Sequence, residues 1–257
     1  MNAAGADAGA KVVAALVFAA SAALTIAWCG SMSAMPGMEM PGGWTMSMTW
    51  MRMPGQGVLD LAGMFCGMWA VMMIAMMMPV VAPALIRFRR GQARGGVGEF
   101  ATLAFAAGYF GVWIAAGIAI FPLGLAFAEL AMHSESISRA TPVLAAIVVL
   151  FAGAMQFSGW KLRRIARCRH SADCCVASAN YREAGRAGAR LGLNCLHCCA
   201  GLKAVLLVIG VMDLLAMALV SLAISAERLL TARVRAARLV GLILLSGGGT
   251  MLFRAAL

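Results

Sequence analysis

Charge is scarce in this chain. Asp, Glu, Lys and Arg together make up 12% of its 257 residues, against roughly 25% in soluble globular chains. Histidine and tyrosine are scarcer still, at three and two residues, which leaves little material for imidazole-based catalysis. No nucleophile is paired with a base, and neither a glycine-rich phosphate loop nor a Cys-x-x-Cys-His haem signature occurs. The expectation is therefore a non-enzyme. No repeat of fixed period is visible, and disorder is excluded because disordered chains are poor in apolar residues. What fills the sequence is apolar: 63% of residues, with a mean hydropathy of +0.89. Sulfur is in excess, at 21 Met and 8 Cys.

A bilayer-spanning helix needs about 20 mostly apolar residues. Six stretches qualify: Lys11–Cys29, Leu59–Ile86, Phe100–Phe127, Thr141–Trp160, Ala200–Ile224 and Ala236–Phe253. The expected fold class is all-α, a polytopic helical membrane protein of about six transmembrane helices forming one domain over residues 1–257. The first run follows Lys11 as a signal peptide would, but its length and the Trp28-Cys29 pair favour an uncleaved span. Gly247-Gly248-Gly249 in the last run suits close helix packing.

Orientation follows from the distribution of Lys and Arg in short loops. Arg87, Arg89, Arg90 and Arg94 follow the second run; Lys161, Arg163, Arg164, Arg167, Arg169, Arg182, Arg186 and Arg190 follow the fourth. Arg52 and Arg139 stand alone in the loops between. This places both termini and the loop 161–199 in the cytoplasm. Arg228, Arg233, Arg235 and Arg238 disagree, falling on the outside unless Glu227–Arg238 lies along the interface. The net charge of +11 is accounted for by residues flanking spans, where they meet anionic lipid heads, so no nucleic-acid partner is expected.

Fifteen of the 21 Met fall in two segments. The outer loop 30–58 carries Met32, Met35, Met38, Met40, Met46, Met48, Met51 and Met53 among Pro and Gly, and reads as hydrated and without a core. Soft thioethers select Cu(I) among common metals, so Met35 and Met38 are candidate ligands; Met as adaptable filler is the alternative. In the second run, Met64, Met68, Met72 and Met76 recur every four residues and form one slanting stripe on a helix. Met68, Met72 and Met76 are candidates for a thioether ladder, against plain helix packing. Pro79 and Pro83 should bend the end of that helix.

Six of the eight Cys lie in or beside the fourth loop: Cys168, Cys174, Cys175, Cys195, Cys198 and Cys199, with His170 and His197 among them. In a reducing compartment such clustering reads as metal-binding or redox-active. Basic neighbours, including Arg190 and Lys203, favour thiolates. A tetrahedral zinc site and low-coordinate Cu(I) both fit this set. Asp213 falls in the middle of the fifth run and is a functional candidate by its depth alone. Gln156 is a second polar residue at span depth, and Lys161 beyond it should snorkel to the surface.

The order MWAVMMIAMMMPVVAP, GYFGVW, AGAMQFSGWK, NCLHCCAGLK and GVMDLLAM resembles a bacterial family of predicted metal-binding integral membrane proteins, over about residues 60–245. Its most specific elements are matched by Cys195, Cys198 and Cys199, then by Met76 to Pro79. Asp213 stands where that pattern leads one to expect Asn, and His197 where it leads one to expect Gly. The resemblance implies a multi-span fold and metal binding, in a bacterial inner membrane.

The function expected from these features is copper handling: Cu(I) bound for transport or for delivery to a membrane metalloprotein. Its partners would be the bilayer, the metal ion, and such a metalloprotein or further copies of the chain. A non-transporting scaffold with a structural zinc loop and a membrane thiol–disulfide relay are the competing readings.

Overall fold

The computed structural model describes residues 3–33, 37–47, 50, 55, 57–92, 98–161, 163, 180–230 and 232–256. These build helices α1 (Ala3–Ser33), α2 (Val58–Gln92), α3 (Gly98–His133), α4 (Glu135–Met155), α5 (Tyr181–Ile209), α6 (Leu214–Leu229) and α7 (Arg233–Ala256). Between α1 and α2 lies an antiparallel hairpin, β1 (Met38–Met40) with β2 (Trp44–Met46). Among the described residues six helices, α1 to α5 and α7, are long and apolar enough to cross a membrane. At 16 residues, α6 extends about 24 Å, less than the roughly 30 Å of a hydrocarbon core.

The outer faces of this bundle carry many large apolar side chains. Leu16, Phe100, Leu123, Phe151, Leu215, Leu222 and Ile243 all stand exposed, the reverse of a water-soluble bundle, whose outer helix faces are polar. The interior is built around α2, which buries Phe65, Trp69, Met72, Met73, Met76 and Met77. Ring contacts Phe65–Phe121 and Phe88–Phe105 fix α2 and α3 as antiparallel neighbours. Trp69 Nε1 donates to the Trp113 carbonyl at 2.8 Å between them. Helix α2 continues through both prolines, and Ser221 Oγ from α6 donates to the Met76 carbonyl at 3.4 Å, just ahead of Pro79.

Helices α3 and α5 run parallel and unusually close. Gly108 faces Gly185, Gly188 faces Phe105, and Gly192 faces Tyr109; a Cβ at Gly108 or Gly188 would overlap the opposing backbone. Helix α7 lies antiparallel along α4, with Gly241 against Phe157, Gly153 against Leu245 and Gly248 against Leu150.

The fifth apolar run differs from expectation. Its helix begins at Tyr181, not Ala200, and ends at Gly210, whose φ of +141° suits glycine. A new helix starts after Asp213, whose carboxylate accepts from the Ala216 N–H at 2.9 Å. Continuous hydropathy hid this break, because the residues on both sides of it are apolar. Helix α6 therefore turns back, and its last turn meets the end of α4: Lys161 Nζ lies 2.8 Å from a Glu227 carboxylate oxygen, both side chains being buried. Arg228, Arg233, Arg235 and Arg238 thus return to the same end of the bundle as Arg87, Arg89, Arg90 and Lys161, and their disagreement disappears. The extra helix also changes the parity. The end of α1 meets the α5–α6 corner through Cys29 Sγ and Met212 Sδ, 3.9 Å apart, while α7 starts at the basic end. The two termini lie at opposite ends, not at the same one.

The methionine loop is also more ordered than expected. Met40 and Met46 are buried with Ala128 and Ala131 of α3. Trp44 Nε1 donates to the Ser138 carbonyl at 3.0 Å, and Ser138 Oγ to the Pro41 carbonyl at 2.7 Å. The hairpin closes one side chain from each strand over a helix end and so creates a small core. Met38 stays exposed.

Candidate metal centre

At 3.6 residues per turn, side chains four apart share a helix face and those two apart oppose each other. On α5 this aligns Cys195, Cys199 and Lys203 along one face, where Cys195 meets Tyr109 of α3 and Lys203 reaches Met76 of α2. Cys195 and Cys199 are each 1% exposed. Their side chains are hydrogen-bond partners, as are those of Cys198 and Cys199. The glycine-mediated approach of α3 brings Tyr109 within reach, and its hydroxyl donates to Cys195 Sγ at 3.2 Å. One turn along, Lys203 Nζ donates to Met76 Sδ at 3.2 Å and lies 5.5 Å from the centre of the Trp113 ring. Arg228 of α6 acts on both Cys195 and Cys199 from the basic end.

The cysteines expected in a loop are therefore held halfway along a buried helix, with Cys198 buried one position from Cys199. Met68, Met72 and Met76 are buried on α2, and Lys203 ties Met76 directly to the face that carries the thiols. His197 is corrected: it is exposed, its Nδ1 sits 2.7 Å from the Leu193 carbonyl, and the helical rotation turns it away from Cys195 and Cys199. Asp213 is corrected too, from an acid held at span depth to an exposed helix cap. Met38 belongs to the hairpin beside Ala128, nineteen residues along α3 from Tyr109; at 1.5 Å per residue it lies roughly 30 Å from the thiols. Gln156 is buried as expected, but its partner is unexpected. Lys161 does not snorkel; it lies buried, donating to Gln156 Oε1 and pairing with Glu227. Met35, Cys168, His170, Cys174 and Cys175 lie outside the described residues.

Among the described residues no group of three or more His, Cys, Asp or Glu side chains could hold a metal ion. The described donors are instead the neighbouring thiols of Cys195 and Cys199, with the Met76 thioether reached through Lys203, which is a soft, low-coordinate set. Zinc sites want four ligands in a tetrahedron, whereas Cu(I) accepts soft sulfur. Tyr109 and Trp113 escaped notice in the sequence because nothing in their own neighbourhood marks them; they matter through α3 packing alone.

Residues 66–251, well over half of the chain, match the family described as PpoB2: Copper chaperone. No curated protein and no solved structure matches the chain.

Proposed function

The chain belongs to this copper-chaperone family, and from that premise we propose that it is an integral membrane carrier that takes Cu(I) as cargo on Cys195 and Cys199. Met76 supplies a third soft donor, and the destination of the ion is a membrane metalloprotein. The reading rests on one observation above all. Two thiols share a buried helix face with Lys203, whose ammonium contacts Met76 of α2, in a bundle that exposes many large apolar side chains. Thiolate and thioether sulfur match the softness of Cu(I), and two or three such donors match its low coordination.

In this proposal the basic end of the bundle faces the cytoplasm of a bacterial inner membrane, in keeping with the positive-inside rule. The hairpin carrying Met38 faces the opposite side. The protein performs no bond-making reaction of its own; it binds, shields and releases the ion.

Metal analysis of the purified protein from copper-replete and copper-starved cells tests this. Copper near one ion per chain, lost in both Cys195→Ser and Cys199→Ser, is the expected result. Zinc without copper under copper-replete growth would overturn it.

A further inference from the structure

Lys203 is the odd member of the cluster. It is buried, its ammonium is bonded to a thioether, and the groups that act on its charge are Cys199 and Cys195, with no carboxylate among them. A buried ammonium without an anion is costly, because removing a charge from water is repaid only by an opposite charge close by. The one source of negative charge on its helix face is the thiol pair, one and two turns away. Arg228 also acts on these thiols, and its charge adds to that of Lys203, since Glu227 beside it is already paired with Lys161. Lys203 differs in lying among sulfur and ring groups, with no carboxylate against it among the described residues.

We propose that Lys203 is a specificity-determining residue that selects a monovalent over a divalent ion at Cys195 and Cys199. This rests on the copper-binding reading above and deepens it. Two thiolates and Cu(I) carry one net negative charge, which attracts the Lys203 ammonium whether or not Arg228 also acts on it. Two thiolates and Zn(II) are already neutral, so the same buried ammonium gains no such attraction there. Softness of the donors alone would leave divalent soft ions as competitors; the buried cation adds a penalty that depends on the valence of the ion. The ammonium does not ligate the metal, and its contact with Met76 Sδ fixes where its charge sits.

The test is competitive binding of Cu(I), Ag(I) and Zn(II) to the full chain in lipid nanodiscs. Lys203→Gln should lower the ratio of Cu(I) to Zn(II) affinity by about tenfold or more, with Ag(I) following Cu(I). Lys203→Arg, which keeps the charge, should hold the ratio within about threefold of the parent. Lys203→Leu serves the same purpose if the Gln variant does not accumulate. Retention of the ratio in Lys203→Arg together with its loss in Lys203→Leu separates this from a merely structural part. Parent protein that binds copper, with an unchanged Cu(I) to Zn(II) ratio in Lys203→Gln, overturns the proposal. Parent protein that takes up no copper overturns the copper-binding reading itself.

Discussion

Cys195, His197 and Cys199 carry equally good ligand chemistry, and only rotation about α5 separates them. The thiols turn inward to Tyr109 and Lys203, while His197 turns outward to its own backbone. Cys195→Ser or Cys199→Ser should each weaken Cu(I) binding by about 100-fold or more, since a hydroxyl is a hard, reluctant donor to a soft ion. His197→Ala should leave the affinity within about twofold of the parent; a loss equal to that of the cysteine variants, measured by the same chelator competition, would contradict the inward assignment. Asp213 tells a similar story. As a helix cap it should cost about 1 kcal/mol when changed to Ala, seen as a lower Tm with copper binding retained. Sequence reasoning grouped both cysteines because their spacing is local, and did not place His197 on an outward face or Asp213 at a helix start because it had the wrong limits for α5 and α6.

That error belongs to α5 and α6, and its cause is physical. Hydropathy reports which residues avoid water, and a corner between two apolar helices is as apolar as the helices. The punctuation was nevertheless present: Gly210, which ends one helix with φ of +141°, and Asp213, which caps the next. A glycine followed within three residues by a capping acid is a stop and a start. By contrast α2, α3 and α4 were readable from their apolar lengths, whereas the parallel contact of α3 with α5 was not, because glycines far apart in sequence create it. Gly188→Val would force α3 away from Cys195; over-packing of this kind costs about 1–3 kcal/mol. Copper affinity should fall with stability in that variant, and a fall in neither would show that the helices have room to spare. The latch between α4 and α6 is the other weak point. Glu227→Gln leaves the Lys161 ammonium buried without its counter-charge, and breaking a buried pair on one side costs about 3–5 kcal/mol. Thermal unfolding of that variant should show the loss, and the exchange of both partners for apolar residues of similar size should recover most of it.

Seen as a complete bundle, the chain separates its chemistry by height. Basic residues gather at one end, the soft donors lie halfway, and the hairpin covers the other end. The courses of the described helices α1 and α7 put the two ends of the described chain at opposite ends of the bundle. Reporter fusions should therefore place the C-terminus on the side opposite to the N-terminus, which topology mapping in cells will check; termini on one side would require α6 to stop short of turning back. The charge pattern alone led to the other answer, since it was counted over six runs and one of those runs is two helices.

Burial of the two thiols carries a kinetic consequence. An ion held at a surface can pass directly from donor to acceptor, with a rate that rises with the concentration of either. On the proposed reading a copper donor cannot touch the buried Cys195 or Cys199 until the helices part, so the opening step belongs to this protein and not to the donor. Loading of the protein with Cu(I) should rise with donor concentration only at first and then level off at the opening rate, and a variant that loosens the α3–α5 contact should raise that plateau even as it weakens the grip.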